Sequence, residues 1–213
     1  MIITPPADKE RGEGIEMYCI LVTGIPAAGK TTMAEYLSRN FNLPVISKDK
    51  IKEIMFDEIG FGSRQEKVKL GTASMEIMYY FAGQFMKCGQ PFILENNFEN
   101  ASREGLMAIL EKYAYKAITI TLTGDYETIY KRFMERNSSP QRHRGHVVNQ
   151  CYPEKEEGRE TPSLSYEGFV SGIISRGMDR FTANGPTLVL DTTDFQQLDK
   201  EEVLKKVAAL IAI

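Results

Sequence analysis

Apolar residues in this chain follow two rhythms that take turns. Short unbroken runs rich in β-branched residues alternate with longer stretches in which apolar positions return every three to four residues. The first pattern reads as a strand buried on both faces, the second as an amphipathic helix. Strands are therefore predicted at residues 18–23, 44–46, 91–95, 117–122 and 187–190. A helix should follow residue 32, with Met33, Leu37 and Phe41 on one face. Others are predicted at residues 48–59, 66–88, 101–113, 125–136 and 166–178, with a last one carrying Val203, Leu204, Val207 and Ile211. In the long 66–88 pattern the register falls on Ala73, Ile77, Phe81 and Phe85; in 125–136 it falls on Tyr126, Ile129 and Phe133; in 166–178 on Phe169, Val170, Ile173 and Ile174.

Strand alternating with helix implies right-handed crossovers and a mostly parallel sheet covered on both sides. The expected fold class is α/β, a five-stranded parallel sheet with helices on both faces. Ligands of such sheets bind beyond the carboxyl ends of the strands, so chemistry is expected in residues 24–32, 47–52, 95–97, 123–125 and 191–193. Two stretches stand outside the rhythm. Residues 1–16 are polar and rich in charge, Pro and Gly, and read as a flexible leader to one domain at 17–213. Residues 137–165 are polar with three prolines, and a loop of that length in a compact domain reads as a lid or substrate-binding insertion.

The sharpest motif lies at the first strand end. Gly24-Ile25-Pro26-Ala27-Ala28-Gly29-Lys30-Thr31, followed by Thr32, fits GxxxxGK[ST] directly after a strand and before a helix. Glycines let the backbone wrap its N–H groups around an anion, and the helix N-terminus adds partial positive charge. In that P-loop NTPase setting Lys30 is expected on the β- and γ-phosphates of ATP and the Thr31 hydroxyl on Mg²⁺. No guanine-reading Asn-Lys-x-Asp occurs, and the third strand ends Glu95-Asn96-Asn97 instead of the Asp of a mechanical ATPase. Asp49 follows the second strand, where a carboxylate can accept a hydroxyl proton or merely stabilise a helix N-terminus. Arg132 and Arg136, spaced i, i+4, share a helix face that runs toward Arg142 and Arg144, and guanidinium forks suit phosphate oxygens.

Composition narrows the partners. Twenty-six basic against twenty-nine acidic residues give a formal charge of −3, which disfavours a long nucleic-acid backbone but permits one local basic pocket for a small-molecule acceptor. No apolar run suits a membrane span and no secretory leader is read. Cys19, Cys88 and Cys151 form no CxxC, so neither disulfide framework nor zinc ribbon is expected and the cytoplasm is the simplest compartment. His143-x-x-His146 with Cys151 lacks a fourth ligand and a common zinc spacing. Tyr79, Tyr80, Phe81 and Phe85 read as helix packing.

Residues 24–32, 45–52, 91–97 and 125–136 resemble the P-loop kinases grouped with polynucleotide 5′-kinase, zeta toxin and chloramphenicol phosphotransferase. The resemblance covers roughly residues 18–145. It implies ATP-dependent phosphorylation of a hydroxyl on a nucleoside, sugar or antibiotic-like molecule, with Asp49 activating the acceptor, Lys52 holding it, and Arg132 and Arg136 clamping ATP. It also implies that the segment with Thr192 lies beside the adenine. The polynucleotide kinases tend to read Asp-x-Thr-Asn where this chain reads Glu95-Asn96-Asn97-Phe98, a further argument against nucleic acid. Glu95 and Asn97 are left as substrate contacts or as satisfied polar groups at a strand end. The readings to be distinguished are thus a small-molecule kinase, a polynucleotide 5′-kinase and a nucleotide-gated interaction protein with slow ATPase activity.

Overall fold

Five apolar runs become five strands, β1 (Tyr18–Gly24), β2 (Val45–Ser47), β3 (Phe92–Glu95), β4 (Lys116–Thr123) and β5 (Thr187–Asp191). They form one sheet in the order β2-β3-β1-β4-β5, with every pairing parallel. The computed structural model describes residues 17–154 and 164–212. The expected leader at 1–16 and the middle of the expected insertion, 155–163, lie outside the described residues.

Side chains alternate across β1 and so enter two cores. Ile20 and Val22 pack with Ile93, Ile120 and Leu122 on one face, while Cys19 and Leu21 pack with Phe92, Leu94 and Ala117 on the other. Burial on both faces is why the run reads as continuous. The first face is covered by α1 (Lys30–Phe41), α5 (Tyr126–Ser138), α7 (Tyr166–Arg176) and α8 (Lys200–Ile211), through Met33, Leu37, Ile129, Phe169, Ile173, Val203 and Val207. The second is covered by α3 (Arg64–Lys87) and α4 (Asn100–Lys112). No helix among the described residues is long and apolar enough to cross a membrane.

One predicted face is wrong. In α3 the buried stripe facing the sheet is Ser74, Met78, Ala82 and Met86; of the expected Ala73, Ile77, Phe81 and Phe85, only Phe85 packs on that core, against Phe92. Phe81 is 47% exposed and meets Tyr80 edge to face. Apolar residues run almost all round this part of the helix, so two neighbouring stripes compete. The stripe with Ser74, Ala82 and adjacent Gly83 lets the helix backbone approach the sheet, with Met78 and Met86 filling the remaining space.

The insertion begins as the last turn of α5, then makes the short helix α6 (Arg144–Val147) and an antiparallel bridge from Tyr152 to Phe61. Its described residues are fastened to α2 (Lys48–Ile59) and α3, around a small core of Phe56, Phe61 and Val148. His143 Nε2 lies 3.0 Å from Asp57 Oδ1, which also accepts from the Tyr152 hydroxyl at 2.7 Å. Buried Lys67, 4% exposed, donates to the carbonyls of His146 and Val148 and to Asn149 Oδ1. The described part of the predicted lid is a wall held against α2 and α3.

Candidate active site

The loop after β1 is shaped where glycine is required. A Cβ on Gly24 (φ 124°) would sit 1.9 Å from the Leu122 carbonyl oxygen, and one on Gly29 (φ 92°) 2.6 Å from the Phe195 ring. Gly29 is the N-cap of α1, whose first turn holds no acidic residue. The free N–H groups of that turn and their partial positive charge are therefore available to an anion. Lys30 is buried with Nζ donating to the Ile25 carbonyl at 2.7 Å. Burial pushes its pKa down to about 8, helped by Arg136 and opposed by Glu95.

β2 and β3 end in register, Ser47 opposite Glu95. Ser47 Oγ donates to Glu95 Oε2 at 2.5 Å and also accepts from Lys50 N, as the N-cap of α2. Thr31 Oγ1 lies 3.4 Å from Glu95 Oε1. Glu95 thus ties the phosphate loop to the start of α2. Burial raises its pKa above the ordinary carboxylate range, against the Ser47 bond and the Lys30 charge. The Thr31 hydroxyl and Glu95 carboxylate are oxygen donors of the kind a hard cation such as Mg²⁺ takes.

Asp49 lies in the first turn of α2 and faces the same cleft of about 520 Å³ as Lys30 and Thr31. Burial alone would raise its pKa, but His146, Lys52, Arg142 and Lys48 outweigh burial and hold it below the ordinary value. His146 itself is pushed down to about 4, first by burial, against the pull of Asp49. The charges of Lys52, Arg142 and Lys48 act on Asp49 in the same direction as His146 and favour its carboxylate form. His146 Nε2 meets Glu53 Oε1 at 3.1 Å.

Arg132, Arg136 and Arg142 line the cleft, with Lys52, Glu95 and Asn97. Arg132 Nη1 donates to the Thr192 carbonyl at 2.6 Å and Nη2 to that of Thr193, which fixes α5 to the end of β5. Arg136 lies over the Phe133 ring at 5.7 Å. The Nε atoms of Arg136 and Arg142 are buried without a hydrogen-bond partner. Lys131 and Glu127 pair on the outer face of α5, so the helix turns its arginines inward.

Two expected site residues are placed elsewhere. Arg144 points away from the cleft into a two-pronged pair with Glu154, at 2.8 and 2.7 Å. Thr192 is fully buried, and its hydroxyl donates to the Thr123 carbonyl at 2.9 Å. It acts on the cleft only through its own carbonyl, by holding Arg132. No group of three His, Cys, Asp or Glu side chains among the described residues could hold a metal; His143 and His146 face Asp57 and Glu53 instead. Sequence reasoning missed Glu53, His146 and Arg176 in the lining, and anticipated Ser47 only as the start of the 47–52 segment. Ser47 carries an N-cap signal. Arg176, at the end of α7, carries none.

A family model described as an AAA domain matches residues 20–159. Among solved structures, a protein of Chloroflexus aurantiacus J-10-fl described provisionally as a kinase is 26% identical, with TM-score 0.74, covering 91% of this chain and 97% of that one. Shikimate kinase from Bacteroides thetaiotaomicron is 15% identical, with TM-score 0.54 and coverage of 92% and 99%. A sugar kinase from Janibacter sp. HTCC2649 is 14% identical, with TM-score 0.54 and coverage of 92% and 94%. The last two share the fold. No curated protein matches.

Proposed function

The chain belongs to the AAA domain family over residues 20–159, and from that membership and the chemistry of the cleft we propose that it is an ATP-dependent phosphotransferase acting on a hydroxyl of a small molecule. The observation that carries this reading is Asp49. An ionised, half-buried carboxylate shares one cleft with the phosphate-loop lysine and four arginines. The kinase description of the Chloroflexus aurantiacus protein agrees with it. The resemblance at residues 24–32, 45–52 and 125–136 supports the group of polynucleotide kinase, zeta toxin and chloramphenicol phosphotransferase.

Lys30 and the N-terminus of α1 bind the β- and γ-phosphates of ATP. Thr31 and Glu95 would hold Mg²⁺, and the metal would supply charge neutralisation on those phosphates. Asp49 accepts the acceptor's hydroxyl proton as that oxygen bonds to the γ-phosphorus and the bond to the β-phosphate oxygen breaks, releasing ADP. Arg136 offers an unpartnered guanidinium N–H group to the charge that spreads over the transferring group. Arg132, braced by Thr192 and Thr193, holds the same face of the cleft.

Replacing Asp49 by Asn keeps the shape and removes the base. Transfer to the acceptor should fall by roughly 10²–10⁴ while nucleotide affinity stays. A variant that transfers at the full rate would overturn the assignment.

A further inference from the structure

Eight Lys and Arg side chains line the cleft against three carboxylates, in a chain whose formal charge is −3. Like charges gathered in a half-buried site repel, and the arrangement is favourable only when anions fill it. A Mg-bound triphosphate offsets part of the excess, on the side of the phosphate loop. The remainder lies around Asp49.

Lys48 and Lys52 are spaced i, i+4 on α2, so they share a face, and Arg142 arrives from the insertion. The charges acting on Lys52 are Asp49, Lys48, Arg64 and Arg142, none of them from the phosphate loop. Its ammonium rests over the Phe56 ring at 5.3 Å. Gly71 on α3 borders it, where a Cβ would make ordinary van der Waals contact with Lys52 Cε and Nζ at 3.6 Å. Glu53 is engaged by Lys50 and His146, and Glu95 by Ser47. Among the described residues the side chains of Lys48, Lys52 and Arg142 make no ion pair or hydrogen bond, and Arg142 Nε is buried without a partner. Glu99, which also acts on Lys48, is paired with Arg176, so Asp49 is the cleft carboxylate left to face three cations.

We infer that the acceptor carries an anionic group of its own, a carboxylate or a phosphate monoester, bound between Lys52 and Arg142 while its hydroxyl faces Asp49. This deepens the kinase reading and rests on it. The alternative duty for these cations is to keep Asp49 ionised and nothing more. A polymer end is less suited, because the basic residues form one pocket in an acidic chain instead of a stripe along its surface.

The test fills the phosphate loop of the full chain with Mg²⁺ and a non-hydrolysable ATP analogue. Inorganic phosphate, acetate and glycerol are then titrated separately by calorimetry. One phosphate or acetate per chain should bind and glycerol should not. Lys52→Gln and Arg142→Gln should each weaken the anion by about tenfold or more while shifting analogue affinity by less than about twofold. Retained analogue affinity also reports that both variants are folded. No second anion, or one that both variants bind as tightly as the parent, would overturn the inference and leave the kinase reading standing. An analogue that fails to bind would overturn the nucleotide reading, and this inference with it. A second arm follows labelled γ-phosphate onto glycerate against glycerol, and a nucleoside 3′-monophosphate against the nucleoside. Preference for glycerate assigns a carboxylate, preference for the monophosphate a phosphate. Equal labelling of charged and neutral members contradicts the proposal, as does labelling confined to a 5′-hydroxyl oligonucleotide.

Discussion

Lys30 lies buried against the Ile25 carbonyl with Arg136 near it, its pKa pushed down to about 8 by burial. Phosphates brought beside it favour the charged form and raise that pKa again. Binding therefore takes up a proton wherever the free protein has lost one. Nucleotide affinity is at its full value below about pH 8 and weakens above it, by up to about tenfold per pH unit. Calorimetry in two buffers of different ionisation enthalpy reads the uptake directly, and an affinity flat from about pH 7 to pH 9.5 would contradict this account of Lys30. Such residues were legible in the chain, because Lys30, Thr31 and Asp49 owe their positions to a local turn or a strand end. Arg142 and Arg144 were not separable by sequence, since what turns one into the cleft and the other outward is Glu154, ten residues beyond Arg144. The placement of the Thr192 side chain was hidden for a similar reason. Its hydroxyl has a backbone partner on the neighbouring strand end.

Among the elements, strands and helices were recoverable to within a few residues because each has a clear period. The face of α3 was not, because its apolar positions outnumber one stripe and only the sheet decides which stripe is buried. The decision has a measurable consequence. Met78→Ala should destabilise the protein by about 2–5 kcal/mol, while Phe81→Gln, at a 47% exposed position, should stay within about 0.5 kcal/mol. Equal losses in a denaturant titration would restore the sequence-based face. The insertion gives a second element-level test. A Cβ on Gly145 would lie 2.3 Å from the Phe56 ring, so Gly145→Ala should push α6 off α2 at a cost of about 1–3 kcal/mol. That displacement moves His146 and Arg142, and it should raise the acceptor KM with little change in nucleotide affinity. A change confined to nucleotide affinity would contradict the description of this segment as the acceptor wall.

For the whole molecule, the sheet order sets the chemistry. Placing β3 between β1 and β2 brings residues 24–32, 47–52 and 95–97 to one sheet edge, where Glu95 joins the first group to the second. This much follows from a parallel sheet and its crossovers, which is why the centre of the cleft could be anticipated. Its cover could not. Arg176 and His146 enter from segments 129 and 99 residues after Ser47, brought there by packing against α2 and by the Arg176–Glu99 pair, with no local signal. The concentration of positive charge is likewise a property of the assembled cleft and disappears in the near-neutral composition.

The central claim is that this cleft moves a phosphoryl group to a hydroxyl with Asp49 as base. It is tested most directly by following the label of γ-labelled ATP in the parent and in Asp49→Asn, across anionic and neutral hydroxyl compounds. The account predicts label on an organic hydroxyl in the parent, and a loss of roughly 10²–10⁴ in the variant at unchanged ATP affinity. Label released only as inorganic phosphate, at a rate indifferent to every hydroxyl compound and to Asp49, would contradict it.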